Sequence, residues 1–254
     1  GEVWKNPMRM GRGYVDSGRG MDSVMNYPLS DALIRYFKYG DVDKLAYIIR
    51  DIKNEYPEGT IQTLMNFTST HDITRPLNIF GSNEFSPYSE WAWNPNCSDV
   101  DFCKKFKLSA AEYERGKDIY QAFVFALATM PGILSIFYGD EVGVEGLGNL
   151  ANRKPFPWGR EDQDLLSFFR SITNFRVNEK FLERACLNVL NINNNYFMYE
   201  RVLDKEKDLF IVNRTPVYQE ISVPDEYRGG DVVYTLKKSK KNVLSPYGAI
   251  SIKK

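Results

Sequence analysis

Over its first 180 residues the chain alternates short apolar runs with stretches whose apolar positions recur at helical spacing. That alternation is the signature of βα units. Strands are predicted at Glu2–Trp4, Ser23–Asn26, Ile61–Phe67 and Ile133–Tyr138. Asp41 can cap a helix whose Leu45, Ile48, Ile49 and Ile52 form one stripe, and Ser109-Ala-Ala-Glu112 reads as a capping box. The helix it opens gathers Tyr113, Tyr120, Phe123, Val124 and Leu127 on one side and stops at Met130-Pro-Gly132. Leu165, Phe168, Phe169, Ile172 and Phe175 mark a further helix. Four strands, each followed by helical material, amount to half of a (β/α)8 barrel, so the fold class expected is α/β.

After about residue 182 the pattern shortens. "YFMYERVL", "DLFIVNR", "VYQEISV", "DVVYTL" and "GAISI" are β-rich segments separated by turn residues, which predicts a small antiparallel β-sandwich. The layout expected is a partial barrel over 1–182 and a sandwich over 183–254. Residues 80–108, rich in Asn, Ser, Pro and aromatics, form a long excursion between the third strand and its helix, of a length usually functional or mobile.

Composition changes this picture by exclusion. With 254 residues and 43% hydrophobic content the chain can bury a large core. Lys+Arg and Asp+Glu are both 33, so no basic field draws nucleic acid or anionic lipid, and no apolar run is long enough to span a bilayer. Three cysteines argue against a disulfide framework. Cys97 and Cys103 are close enough to pair under oxidising conditions; free thiols are expected, which favours the cytoplasm over secretion. No His-rich or Cys-rich cluster has zinc spacing. The opening "GEVW" reads as a strand without a cap or leader, which suggests the later part of a longer polypeptide.

In a βα barrel, chemistry collects at the C-terminal ends of the strands. The first strand carries Glu2 and Trp4, and the second ends at Asn26-Tyr27-Pro28. The third ends at His71-Asp72, which includes the chain's only histidine, and the fourth at Tyr138-Gly-Asp-Glu141. Taken alone, His71-Asp72 is equally a turn in which Asp caps the next element. Carboxylates, an imidazole and aromatics converging on one rim favour a site.

The set "GEVW", "DSVMNYP", "NFTSTHDITR" and "PGILSIFYGDEVGVEG…NRKPFPW" resembles the α-amylase family of glycoside hydrolases, closest to its neopullulanase, cyclomaltodextrinase and oligoglucosidase members. The likeness covers nearly the whole chain and implies strands 5–8 of a TIM barrel followed by that family's C-terminal β-sandwich. It implies that Glu2 is the general acid/base, that Asp72 is the carboxylate holding sugar hydroxyls in the transition state, and that His71 contacts the same sugar. Arg75 matches the arginine of the His-Asp-x-x-Arg pattern, an organiser of that loop at the sugar site. Trp4 and Tyr27 join them as candidate sugar contacts, with rim packing the plain alternative for Trp4. Trp91 and Trp93 could form a sugar platform at the cleft edge, although folding-back of the long loop is the better explanation of them. Asn152 and Arg153 are further candidate contacts, but Leu150-Ala151 stand where the family usually has Asp-Pro.

The family's nucleophile, an aspartate in a Gly-x-Arg-x-Asp context, has no counterpart here. A retaining glycosidase sets two carboxyl groups about 5 Å apart, one as nucleophile and one as acid/base. Glu2 must keep its proton near neutral pH to serve as acid, a contribution of ~10²–10⁴-fold, whereas Asp72 must stay charged. The resemblance therefore implies a retaining hydrolase of α-glucans (maltooligosaccharides, cyclodextrins or pullulan) whose present portion is inactive alone. It implies no cofactor, and any calcium ligands of a full-length parent lie largely in the other half. An α-glucan transglycosylase and a non-catalytic glucan-binding module are the alternatives. The expected partners are an α-glucan oligosaccharide and either a second copy or the missing N-terminal half.

Overall fold

The computed structural model describes residues 21–83 and 100–254. The strand predicted at Glu2–Trp4, with Glu2 and Trp4 themselves, lies outside those residues, as do Trp91, Trp93 and Cys97. Helices α1 (Tyr27–Tyr39), α2 (Val42–Glu55) and α3 (Glu58–Ile61) lead to strand β1 (Met65–Phe67). Helices α4 (Pro76–Gly81), α5 (Val100–Lys105) and α6 (Ala110–Thr129) lead to β2 (Ile133–Ser135). A short α7 (Gly148–Ala151) and a long α8 (Gln163–Asn178) follow. β1 pairs in parallel with β2, and Met25 bridges in parallel to Met65, so β1 lies between the two.

Regular pairing is shorter than the apolar runs. The strand expected at Ser23–Asn26 is reduced to the bridge at Met25, and of the strand expected at Ile61–Phe67 only Met65–Phe67 forms, with Ile61 closing the helical turn Glu58–Ile61. Pro57 precedes that turn at φ −56°, and the carbonyl of Pro57 accepts from the N–H groups of Thr60 and Ile61.

The helices follow local rules. The Asp41 carboxylate accepts from the Lys44 N–H at 3.0 Å, and Leu45, Ile48, Ile49 and Ile52 are buried as one face. Ser109 and Glu112 form the reciprocal capping box of α6. α4 and α6 cross with backbone against backbone at Gly81 and Gly116. A Cβ added to Gly116 would sit 2.8 Å from the Leu77 carbonyl and 2.9 Å from Gly81 Cα, so only glycine permits that approach. No described helix is long and apolar enough to cross a membrane.

From Cys186 the chain is antiparallel. β3 (Cys186–Ile192), β4 (Tyr196–Leu203), β5 (Glu206–Asn213), β7 (Asp231–Leu236) and β9 (Ala249–Lys253) form a five-stranded sheet in the order β3-β4-β5-β9-β7. β6 (Gln219–Glu220) and β8 (Val243–Leu244) make a separate two-stranded pair. Alternation along the strands divides the two faces of the large sheet. Phe197, Tyr199, Phe210, Val212 and Ala249 pack into the main core with the helices, whereas Met198, Leu209, Ile211, Ile250 and Ile252 pack under Ile221, Val223, Tyr227 and Leu244. The covering layer on the second face is thus a short strand pair and a turn rather than a full second sheet.

The seam between the helical part and the sheet is polar at its centre. Arg201 of β4 has no exposed surface and donates to the carbonyls of Thr129, Leu182 and Ala185. Tyr199 shares a hydrogen bond with the Thr129 hydroxyl at the end of α6. Three carbonyls without a carboxylate satisfy the guanidinium without neutralising it, and burial lowers its pKa to about 9. Cys103 is disulfide-bonded, where free thiols were expected; an odd cysteine count excludes pairing all three, not two. Cys186 is the free thiol of the described residues.

Candidate functional site

The site is built where β1 and β2 end. Thr68, directly after β1, donates its backbone N–H to the Ser135 carbonyl, and its hydroxyl accepts from the Phe137 N–H at 3.2 Å. The two strand ends are thereby tied together before either loop departs. The Thr68 hydroxyl donates onward to Asp140 at 2.7 Å, and Ser69 donates to the same carboxylate oxygen.

Beneath the rim lies a buried ion pair. Arg75 and Asp140, both without exposed side-chain surface, meet at 2.7 Å. Arg75 also donates to the Tyr138 carbonyl at 2.6 Å and, through Nε, to the Asn152 carbonyl at 3.0 Å. Its guanidinium lies 4.2 Å from the centre of the Phe137 ring and 5.0 Å from that of Tyr138. Burial pushes the Asp140 carboxyl up, while Arg75 and the Ser69 and Thr68 hydroxyls oppose the shift. One arginine thus joins the loops after β1 and β2 to the segment at 152.

Above that pair sits the exposed cluster. Asp72 is a quarter exposed; one oxygen lies 3.1 Å from His71 Nε2 and the other accepts from Arg153 Nη2 at 3.2 Å. Arg153 also donates through Nε to the His71 carbonyl at 3.1 Å, so it spans both residues. The Asp72 N–H is held by the Thr70 hydroxyl at 3.2 Å, an ST-type turn that fixes the carboxylate outward. His71, more than half exposed, faces solvent.

The candidates read from the sequence thus fall into separate places. His71, Asp72 and Arg153 are gathered at the mouth and accessible. Arg75 is wholly enclosed, and so is Asn152, whose side-chain amide donates to the carbonyls of Thr70 and Ile73 and so clamps the loop that carries His71 and Asp72. Tyr27 is also buried, its ring edge-on to Phe67 at 4.7 Å. Asp140 is the residue sequence reasoning undervalued: the "YGDE" stretch marked the rim, but nothing local names Arg75 as its partner. Nothing local singles out Thr68 and Ser69, whose partner Asp140 is likewise distant in sequence. Among the described residues no three His, Cys, Asp or Glu side chains converge as metal ligands. A cavity of about 340 Å³ lies elsewhere, lined by Ile49, Ile52, Tyr56, Leu64, Met130 and Leu187 near the N-terminal ends of β1 and β2.

Parallel strands whose C-terminal ends carry a presented carboxylate over a buried Arg–Asp pair, followed by an antiparallel sheet, define an α/β protein with a mouth suited to polar ligands. Comparison with known proteins narrows that class. The chain is 32% identical over 205 residues to an amylopullulanase of Thermoanaerobacter thermohydrosulfuricus, covering 76% of this chain and 13% of that protein. It is 28% identical over 235 residues to a cyclomaltodextrinase of Geobacillus thermopakistaniensis, covering 90% of this chain and 34% of that one. In fold it matches a cyclic α-maltosyl-(1→6)-maltose hydrolase from Arthrobacter globiformis with TM-score 0.73 and 20% identity, over 99% of this chain and 48% of that chain. No protein-family model matches. The chain belongs to the α-amylase family, of whose curated members it spans 13% and 34% in these two cases.

Proposed function

We propose that this chain is the strand 5–8 portion of a (β/α)8 catalytic barrel, residues 1–182, with its C-terminal β domain, residues 183–254, from a retaining α-glucan hydrolase. The observation that carries this reading is the Asp72 carboxylate, held between His71 and Arg153 at the C-terminal mouth of parallel strands. Support for the substrate class comes from relatives described as amylopullulanase, cyclomaltodextrinase and neopullulanase. The Arthrobacter hydrolase, matched in fold, has been solved in complex with maltose and with cyclic α-maltosyl-(1→6)-maltose.

In this reading Asp72 accepts hydrogen bonds from sugar hydroxyls and stabilises the positive charge that develops at the anomeric carbon. His71 and Arg153 donate to the same ring. Glu2 protonates the leaving oxygen. Arg75, Asp140 and Asn152 position the loop and do not touch sugar. The nucleophile comes from another part of the protein, since no Gly-x-Arg-x-Asp stretch occurs in these residues. The chain alone therefore binds maltooligosaccharide without hydrolysing it.

Calorimetric titration of the 254-residue chain with maltotriose tests this. Wild type should bind with Kd of millimolar order, and Asp72→Asn should weaken binding about ten-fold, the scale of a charge-assisted hydrogen bond. Unchanged affinity in Asp72→Asn would overturn the assignment of Asp72. Turnover by the isolated chain, abolished by Glu2→Gln, would overturn the claim that the nucleophile lies elsewhere.

A further inference from the structure

Between two anchors at the mouth, the chain makes an excursion over residues 155–161. On one side the Lys154 carbonyl accepts from the Tyr138 hydroxyl at 2.9 Å, next to Asn152 and Arg153 of the site. On the other, the Asp162 N–H donates to the Val142 carbonyl at 3.2 Å, and its carboxylate is held by Tyr113 and Lys117. The excursion is therefore tethered at both ends to the C-terminal side of the strands.

Its tip is Trp158, which is 80% exposed. A large aromatic this far out of the core gains nothing from burial, yet its backbone is tightly specified. Trp158 N–H donates to the Phe156 carbonyl at 3.0 Å, and Arg160 N–H to the Pro157 carbonyl at 2.8 Å. Gly159 adopts φ +74°, a conformation that residues with a Cβ rarely take. Pro155 and Pro157, both before Trp158, fix φ on the approach to the turn. The Trp158 ring rests on Phe156 with centroids 4.5 Å apart. The two rings are tilted by 48°, so Phe156 steadies the indole, and on a turn that folding has already ordered, presenting it to a ligand costs little further entropy.

A glucose ring in an α-glucan has a C–H face that stacks on such a surface, while its hydroxyls point to the edges. We propose that Trp158, backed by Phe156, is a stacking platform for an α-glucan chain running outward from the Asp72 end of the mouth. This deepens the reading of the mouth as a glucan site and rests on it. Continuity along the chain with Arg153 of the site favours a sugar ring as occupant over an apolar protein face: one exposed ring on a turn is too small for a protein interface.

Affinity electrophoresis of the 254-residue chain in gels containing maltohexaose-bearing polymer or amylopectin, with maltose and maltohexaose as soluble competitors, tests it. Trp158→Ala should weaken binding of maltohexaose and amylopectin about three- to ten-fold, the scale of one aromatic stacking contact. Maltose competition should be unchanged, because the platform lies beyond the first rings, and Trp158→Phe should restore most of the loss. Circular dichroism should be unaltered, as expected for a surface substitution. If Asp72→Asn weakens binding and Trp158→Ala does not, the platform is wrong and the site stands. If Trp158→Ala weakens binding and Asp72→Asn does not, the platform stands and Asp72 has been misassigned. Loss of maltose and maltohexaose in equal measure from Trp158→Ala, or no retardation of wild type, would overturn the platform.

Discussion

Arg75 shows how much one side chain organises. Its guanidinium, itself out of contact with water, pairs with the equally buried Asp140, reaches two carbonyls and packs against two aromatic rings. Removing one member of such a pair strands the other charge in a low-dielectric setting. Arg75→Met or Asp140→Leu should each cost about 3–5 kcal/mol in urea denaturation, whereas the double substitution should cost less than their sum. Strict additivity would contradict coupling. Asn152→Ala should be milder in stability, about 1–3 kcal/mol, but should weaken maltotriose binding through the loosened Asp72 loop. At this scale the sequence was legible where partners are near. Asp41 and Ser109 cap helices three residues away, and both contacts form. His71, Asp72 and Arg75 stood out as a cluster for the same reason. The Arg75–Asp140 pair was not legible because its members are 65 residues apart and meet only once two parallel strands align.

Among elements, β3 was missed and the reason is physical. Its burial is mostly exposed, with Val189 and Leu190 about 40% accessible, and a register shift between Val189 and Asn191 breaks the alternation that marks a half-buried strand. β4 and β5 were plain because their alternating residues serve two cores. β5 carries an unusual cost. Asp208 is buried with neither carboxylate oxygen hydrogen-bonded. Its carboxyl is pushed up to about 7 by burial, with Lys253 opposing and the Glu179 and Glu206 charges adding to the rise. The folded state thus holds a proton that the unfolded chain releases near the ordinary carboxylate range. Stability from this group is full below about pH 4 and is lost as pH rises toward 7. Thermal melts of Asp208→Asn should show a higher Tm than wild type at pH 8 and a smaller gap at pH 4.5. A gap that grows on acidification would contradict the assignment.

For the whole molecule, β2 is paired on one side only among the described residues, and its Ile133 is more than half exposed. An open parallel edge with an apolar side chain invites another strand. Sedimentation of the purified chain should show association that rises with concentration, and Ile133→Lys should reduce it; a sharp monomer at all concentrations would count against a partial barrel. The class of the fold was legible from the alternation of runs and the change of texture near 182, since these are properties averaged over many residues. The extent of regular strand was not, because the strands are anchored by loop hydrogen bonds such as Thr68 to Ser135 as much as by their own ladders.

All three scales meet at one geometric claim: that the carboxylate after β1 and the one at position 2 address the same glycosidic link. A crystal structure of the chain soaked with maltotriose measures this directly. The account predicts a glucose unit whose hydroxyls lie within hydrogen-bond distance of Asp72 and Arg153, with the Glu2 carboxyl beside the adjoining glycosidic oxygen. Sugar bound elsewhere on the surface, or Glu2 turned into separate surroundings from Asp72, would contradict it.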